Sequence, residues 1–369
     1  MANVAKHRVS GKASKAKPDR VETGAVPARD LEQAFASMRL PISPPYPPME
    51  AKSVEKIPAG EGWLYEPKWD GFRCLAFRQG KNVQLQSKAG QPLHRYFPEL
   101  VAALSELPQS QFVLDGEIVI YEGKHLSFDN LLMRIHPAES RIRKLAIETP
   151  ATYICFDLLV TDEGERLDKK PLSERWEYLE EFFHKIPRDA TVRLSPASPD
   201  MDQANKWMRE LEKVGLDGVV AKVLDEPYRS GERKGMVKIK HIRTVDAVVG
   251  GFRYAGKGGG IGSLLLGLYN KEGRLDHVGF TSSFNREQRL ELKRIVEPKI
   301  GGEGFTGKAP GGPSRWSTER SAEWVPLKPE LVVEVQYDHF SGGRFRHGTK
   351  FLRWRPEKQP SSCTFEQLD

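Results

Sequence analysis

A chain of 369 residues with 38% hydrophobic and 29% charged residues has the balance of a soluble globular protein and enough length for two ordinary cores. No run approaches the roughly 20 apolar residues of a membrane span, and the N-terminus lacks the apolar segment of a secretory signal, so a cytosolic protein without a membrane partner is expected. The net charge of +7 favours polyanions as partners, and Cys74, Cys155 and Cys363 lack any metal-ligand spacing, which excludes a cysteine–zinc module.

In chain order, residues 1–29 read as a disordered basic tail: from Lys6 to Arg20 there are six Lys or Arg against the single acid Asp19, with too little apolar content to fold alone. Residues 30–48 form a proline-rich lead-in, with Pro41-Ile42-Ser43-Pro44-Pro45-Tyr46-Pro47-Pro48 extended. Residues 49–240 mix element types. Trp63–Pro67, Phe72–Arg78, Phe112–Tyr121 and Thr152–Val160 are β-rich. Ser173–Ile186 and Met201–Val214 space their apolar residues helically, with Ser173 as N-cap and Gly215 as C-terminal stop. Residues 241–369 change character: Val245–Phe252, Ser263–Tyr269, Leu275–Phe280 and Leu331–Tyr337 read as strands between glycine-rich turns, with one helix at Asn285–Val296. Short strands with a single helix predict a small β-barrel of the oligonucleotide-binding kind.

Five short motifs carry chemistry. Glu66-Pro67-Lys68-Trp69-Asp70-Gly71-Phe72-Arg73 sets an amine at a turn between two strands; alone, it reads equally well as a hairpin with a solvated lysine. Leu114-Asp115-Gly116-Glu117-Ile118-Val119 places two carboxylates on one face of a strand, where they suit a magnesium ion on a phosphate. Tyr153-Ile154-Cys155-Phe156-Asp157-Leu158-Leu159 is an apolar strand with one acid, and Leu216-Asp217-Gly218-Val219-Val220-Ala221-Lys222 sets another acid before a strand. Met236-Val237-Lys238-Ile239-Lys240 alternates, so Lys238 and Lys240 share a face and call for an anion between them.

The ordered set, completed by Phe351-Leu352-Arg353-Trp354-Arg355-Pro356-Glu357-Lys358, resembles motifs I, III, IIIa, IV, V and VI of the covalent nucleotidyltransferases: ATP-dependent DNA ligases, RNA ligases and mRNA capping enzymes. LDGVVAK, GSLLLGLY and FRHGTKFLRWRPEK bring it nearest to bacterial ligase C and the ligase domain of ligase D. The resemblance implies an α+β fold, with a nucleotidyltransferase (adenylylation) domain of antiparallel sheets with helices followed by an all-β oligonucleotide-binding (OB) barrel. It implies an ATP-dependent DNA ligase that seals nicks through AMP on Lys68, acting in DNA repair as a monomer on nicked double-stranded DNA. Ku or a primase-polymerase would be its protein partner. The amine of Lys68 must lose its proton to attack phosphorus, and the neighbouring cations Arg73, Lys238 and Lys240 disfavour its charged form. Phe156 would stack on adenine and Glu66 would meet its amino edge. Glu117 and Asp217 would hold Mg2+ or Mn2+, Glu117 also reaching the ribose. Arg355 and Lys358, carried by the barrel, would orient pyrophosphate before the barrel swings about a hinge near Lys240–Thr244 to clamp DNA.

Two positions depart from the pattern. Ser87-Lys88-Ala89-Gly90 resembles motif Ia, where many relatives carry arginine; Lys88 keeps the charge on the nucleotide but loses the bidentate fork. Asp217 stands where eukaryotic and viral relatives carry glutamate. The glycine run Gly256–Gly262 lacks the phosphate-loop arrangement and reads as a turn, with Lys257 brushing the DNA backbone. His94, His136 and His339 have no partner spacing and read as structural or surface residues, and Trp316 and Trp324 as barrel aromatics. A GTP-using capping enzyme is the nearest enzymatic alternative and an RNA ligase the second, and a binding module that has lost its chemistry is the non-enzymatic one.

Overall fold

The structure, a computed structural model, describes residues 35–184, 186, 187, 190–210, 215–256, 260–311 and 323–368. The basic tail, the first residues of the lead-in, Lys257 and Trp316 lie outside the described residues.

Two sheets build the first half. One contains β1 (Lys52–Ser53), β2 (Trp63–Pro67), β9 (Gly218–Val223) and β10 (Met236–Lys240) in the order β1-β10-β9-β2. The other contains β3 (Phe72–Gln79), β4 (Asn82–Ser87), β5 (Gln111–Glu122), β7 (Ala151–Val160) and β8 (Val192–Leu194) in the order β4-β3-β5-β7-β8, with β6 (His125–Leu126) paired to β5. Pairing is antiparallel except at β1–β10 and β7–β8. Every residue of β7 is buried, as expected of a strand covered on both faces.

The covers are helices α1 (Pro98–Ser105), α2 (Phe128–Met133), α3 (Glu139–Glu148) and α4 (Leu172–Phe183). Leu100 and Leu104 of α1 and Leu179 and Phe182 of α4 join Leu85, Phe112, Leu114 and Tyr153 in one core. On the opposite face of the same sheet, Leu75, Phe77, Val113 and Leu159 meet Leu40, Ile42 and Met49 of the lead-in, together with Tyr228 and Met236. Helix α5 (Met201–Glu210) brings Ala204 against Tyr65, Val219 and Ala221 on the far side of the first sheet.

Ser173 is not the N-cap of α4. The helix starts at Leu172 with Pro171 in the cap position and no side-chain cap, because proline fixes the backbone one residue earlier. Gly215 follows α5 with a φ of +85°, a left-handed conformation that glycine adopts without strain.

The second half is a ring of strands. The barrel sheet comprises β11 (Arg243–Tyr254), β12 (Ile261–Tyr269), β13 (Leu275–Thr281), β15 (Val332–Tyr337) and β18 (Lys350–Trp354) in the order β13-β12-β11-β15-β18, with β14 (Val325–Pro326) beside β11. A bridge from Thr281 to Thr349 joins the two ends of that order, and β16 (Phe340–Ser341) with β17 (Arg344–Phe345) forms a separate hairpin. Val248, Leu264, Leu266, Val278, Val333 and Val335 fill the interior. Helix α6 (Arg286–Val296) opens with a capping box in which Asn285 and Gln288 each bond the other's backbone. Only His241 and Ile242 separate β10 from β11.

Candidate active site

An open cavity lies between the two sheets of the first half, lined by Glu66, Lys68, Arg73, Lys88, Glu117, Phe156, Lys222 and Lys238. The motifs converge there because the backbone brings them into contact. Lys68, just past β2, donates its N–H to Gly218 O at 2.9 Å and accepts from Asp217 N at 3.0 Å. Glycine is required on both sides of this junction. A Cβ on Gly71 would strike Ile118 O, and one on Gly218 would strike Ile239 O. The Asp-Gly pairs thus mark close strand crossings; Asp115-Gly116 lies within β5 and makes no turn.

At one end of the cavity Lys68 Nζ stands 2.6 Å from Asp217 Oδ2, and Lys240 Nζ is 3.5 Å from the same oxygen. Lys238 projects beside them, and its pKa is lowered by burial and by the charges of Lys68, Lys240, Lys88 and Arg233. Burial alone would lower Lys240 too, but Asp217 and Asp338 outweigh it and raise its pKa. Asp217 is held below the usual carboxylate range by Lys68 and Lys240, against burial. Lys88 Nζ rests on Glu50 Oε2 at 2.9 Å, and Arg233 reaches the same oxygen at 3.1 Å.

The middle of the cavity is braced from behind. Arg73 forms a fork on Asp115, Nε to Oδ1 and Nη2 to Oδ2 at 2.6 Å each, and Tyr228 Oη donates to Oδ2 at 2.6 Å. Asp115 is wholly buried, so its oxygens are committed to fixing Arg73. Glu117 instead faces the cavity. Burial raises its carboxyl to about 7, against the pull of Arg73 and Lys68.

At the other end, Phe156 is the extra residue of a β-bulge: Asp115 pairs with Asp157 and Gly116 with Cys155. Bulges re-aim side chains, and here the ring is turned toward the cavity, with Arg73 Cζ 4.5 Å and Lys222 Nζ 4.6 Å from its centroid. Glu66 is buried beside it, its Oε1 2.6 Å from Lys222 Nζ.

Arg355 and Lys358 are not at this cavity. Arg355 Nη1 bonds Asp246 at 2.9 Å and Glu334 at 3.3 Å, Arg355 Nε bonds Glu357 at 2.6 Å, and Lys358 Nζ lies 3.4 Å from Asp246. A different part of the barrel reaches the site. Arg346 Nη1 donates to both oxygens of Asp70 at 2.9 and 2.8 Å, and its guanidinium lies 3.9 Å from the Phe128 ring centroid. His339 Nε2 is 3.5 Å from Asp70, so this histidine is part of the site and not a remote surface residue. Lys240 also bonds Asp338 at 3.0 Å. Sequence reasoning missed Arg346, whose one signal is that FRHGTKF belongs to a stretch that carries the resemblance, and it read His339 as structural or surface.

Among the described residues no cluster of three or more His, Cys, Asp or Glu could hold a metal ion alone. Glu117 and Asp217 supply hard oxygen donors, which suit a divalent ion completing its shell with phosphate and water. No described helix is long and apolar enough to cross a membrane, and all three cysteines are free and buried.

Comparison with known proteins agrees with this geometry. Residues 48–240 match the family model of the ATP dependent DNA ligase domain, and residues 257–358 match that of the ATP dependent DNA ligase C terminal region. The chain is 46% identical to DNA ligase C1 of Mycolicibacterium smegmatis over 342 residues, covering 90% of this chain and 96% of that protein. It is 44% identical to DNA ligase C of Mycobacterium tuberculosis over 348 residues, with the same coverage. Similarity to the multifunctional non-homologous end joining DNA repair protein LigD of M. tuberculosis is 31%, over 82% of this chain and 37% of that protein. A solved Lig E DNA ligase, described as binding DNA with a minimal scaffold, shares the fold with a TM-score of 0.51 at 17% identity, over 83% of this chain and all of that one. A nucleotidyltransferase domain followed by an OB barrel, matched by both family models and by relatives along nine-tenths of its length, makes the chain a member of the ATP-dependent DNA ligases.

Proposed function

We propose that Lys68 is the residue that carries AMP, and that residues 49–240 form the adenylylating unit and residues 241–369 the OB unit. The observation that carries this reading is the cavity itself: one lysine amine at its floor, cations on its walls, and an aromatic ring with a buried carboxylate at the far end. The amine of Lys68 attacks the α-phosphorus of ATP; a P–N bond forms and pyrophosphate leaves. AMP then passes to a DNA 5′-phosphate oxygen, the P–N bond breaking as an anhydride forms. The adjacent 3′-hydroxyl attacks that phosphate and AMP departs.

Within the cavity Phe156 stacks on adenine and Glu66 accepts from its amino group. Arg73, Lys88, Lys238 and Lys240 offset negative charge on the phosphates, most strongly in the transition state. Glu117 and Asp217 are the protein ligands for Mg2+ or Mn2+, which supplies Lewis-acid stabilisation of the phosphates when bound. Asp217, 2.6 Å from Lys68 Nζ, is thus shared between the nucleophile and the metal.

Arg355 and Lys358 orient pyrophosphate only in a second barrel orientation. The present one, with Arg346 on Asp70 and Arg355 on Asp246, fits the DNA-bound steps, and the change pivots on the Lys240–Thr244 link. Similarity to a named end-joining repair protein supports a role in DNA repair, and we read the chain as a cytosolic monomer with Ku or a primase-polymerase as partner; pull-down with each tests the last point.

The test is to incubate the protein with magnesium and α-labelled ATP or GTP, then chase with nicked DNA. Label from ATP, absent in Lys68→Ala and discharged by a sealed nick, is expected. Label from GTP, or label that survives in Lys68→Ala, overturns the assignment.

A further inference from the structure

We infer that Lys222 sets the purine preference of the cavity by keeping Glu66 an ionised hydrogen-bond acceptor. The inference rests on the reading above, in which the cavity takes ATP and Glu66 meets the adenine amino edge.

Glu66 is 2% exposed and Lys222 5% exposed. Lys222 Nζ lies 2.6 Å from Glu66 Oε1, an oxygen buried from solvent, while Glu66 itself lines the cavity. Lys222 Nζ also donates to Phe156 O at 2.9 Å and stands against the Phe156 ring. A single ammonium therefore joins the strand carrying the carboxylate to the strand carrying the stacking ring.

The charges facing Glu66 come from three strands: Lys222 on β9, Arg73 on β3 and Asp157 on β7. Arg73 is committed to Asp115 by two bonds. Asp157 repels, and its own oxygens are held by Arg175 at 2.8 and 2.9 Å. Burial keeps the Glu66 carboxyl above its ordinary range even beside Lys222, which is the foremost influence pulling it back. Without Lys222 the carboxyl has no uncommitted counter-charge, and a buried acid in that position takes up a proton.

Protonation changes what the site recognises. A carboxylate accepts from the amino group of adenine, whereas the O6 of guanine in the same place would set lone pair against lone pair. A carboxylic acid donates to O6 and binds the amino group less well. Lys222 is therefore a positioning residue whose effect passes through Glu66.

The experiment compares labelling rates with ATP, GTP and the triphosphate of purine riboside, which lacks the 6-amino group, in wild type, K222M, E66Q and E66Q/K222M. Wild-type label from ATP checks the underlying reading by itself. The inference expects wild type to favour ATP over the 6-unsubstituted analogue by roughly tenfold or more. K222M should lose most of that preference, gain on GTP relative to ATP, and recover the preference as pH rises and Glu66 ionises. Equal slowing of ATP and analogue by K222M, at every pH, would show a structural role only and overturn the inference, as would a wild type indifferent to the 6-amino group. Should K222M fail to melt cooperatively, E66Q/K222M decides: its ATP-to-analogue ratio must equal that of E66Q, and a further change refutes action through Glu66.

Discussion

The two halves of this ligase fix their arginines in different ways. In the nucleotide half, Arg73 is forked onto a carboxylate with no solvent exposure, which is itself bonded by a buried tyrosine. In the barrel, Arg355 spreads over three acids, of which Glu357 is well exposed, and Lys358 beside it is 42% exposed. A buried pair is costly to break because the abandoned charge cannot be rehydrated, whereas pairs open to water exchange partners at little cost. Arg73 is thus held for one task in one place. Arg355 has one buried partner, Asp246, and two, Glu334 and Glu357, that water can replace.

The sharpest way to break this contrast is Asp115→Asn. It leaves the half-buried Arg73 guanidinium without its counter-charge and should lower stability by roughly 3 kcal/mol, read as a large fall in the denaturant midpoint. Tyr228→Phe removes one hydrogen bond from the same carboxylate and should cost about 1 kcal/mol. A small effect for Asp115→Asn would mean that water reaches this pair and that the nucleotide half is no more rigid than the barrel.

Residue type and spacing made the motif side chains legible, since each chemistry demands a particular group on a particular strand. Lys68, Glu117, Phe156 and Lys238 line one cavity, with Asp217 at Lys68, as the motif order implies. The long strands were legible because their apolar runs end at turn residues; β2 spans Trp63–Pro67 in sequence and structure alike. What sequence does not encode locally is partnership across the chain. Arg346 and Asp70 are 276 positions apart, and no periodicity links them. Tyr228 looks like any core aromatic until its hydroxyl is seen on Asp115. The bulge that turns Phe156 depends on the register of β7 against β5, a property of two strands together. Helices α1 to α3 escaped notice because they are short, at 6–10 residues, and burial on a sheet stabilises them more than their own pattern does.

Arg355→Ala sharpens the comparison from the barrel side. Glu334 and Glu357 are partly and well exposed, and the buried Asp246 keeps Lys358 beside it, so loss of the pairs should lower stability by less than Asp115→Asn does. Formation of lysyl-AMP should nevertheless slow by roughly ten- to a hundredfold, because a charged contact to the leaving pyrophosphate is lost. Sealing of a nick that already carries AMP should proceed near the wild-type rate. If that last step slows as much as the first, Arg355 acts in the orientation seen here and the idea of a second barrel pose fails.

The two halves are expected to differ least in their response to mild acid, where one barrel residue gives a clean signature. His277 is buried against Phe305, 5.1 Å between centroids, with Arg344 on its Nδ1. Burial and the charges of Arg344 and Arg253 hold its pKa down to about 3. The unfolded chain protonates this imidazole near its ordinary value of about 6.5, while the folded barrel does not. Above that value neither state carries the proton and the group has no effect on the balance. Between about 6.5 and 3 the unfolded state binds one proton more, so stability falls with pH by up to about 1.4 kcal/mol per unit. Acidic groups titrate in the lower part of this window as well, so the diagnostic is a difference. Between pH 6.5 and about 5, where most carboxylates stay ionised, the slope for wild type should exceed that for His277→Gln by most of that amount. Parallel slopes would mean that His277 gains its proton within the fold and that the barrel interior admits water at this point.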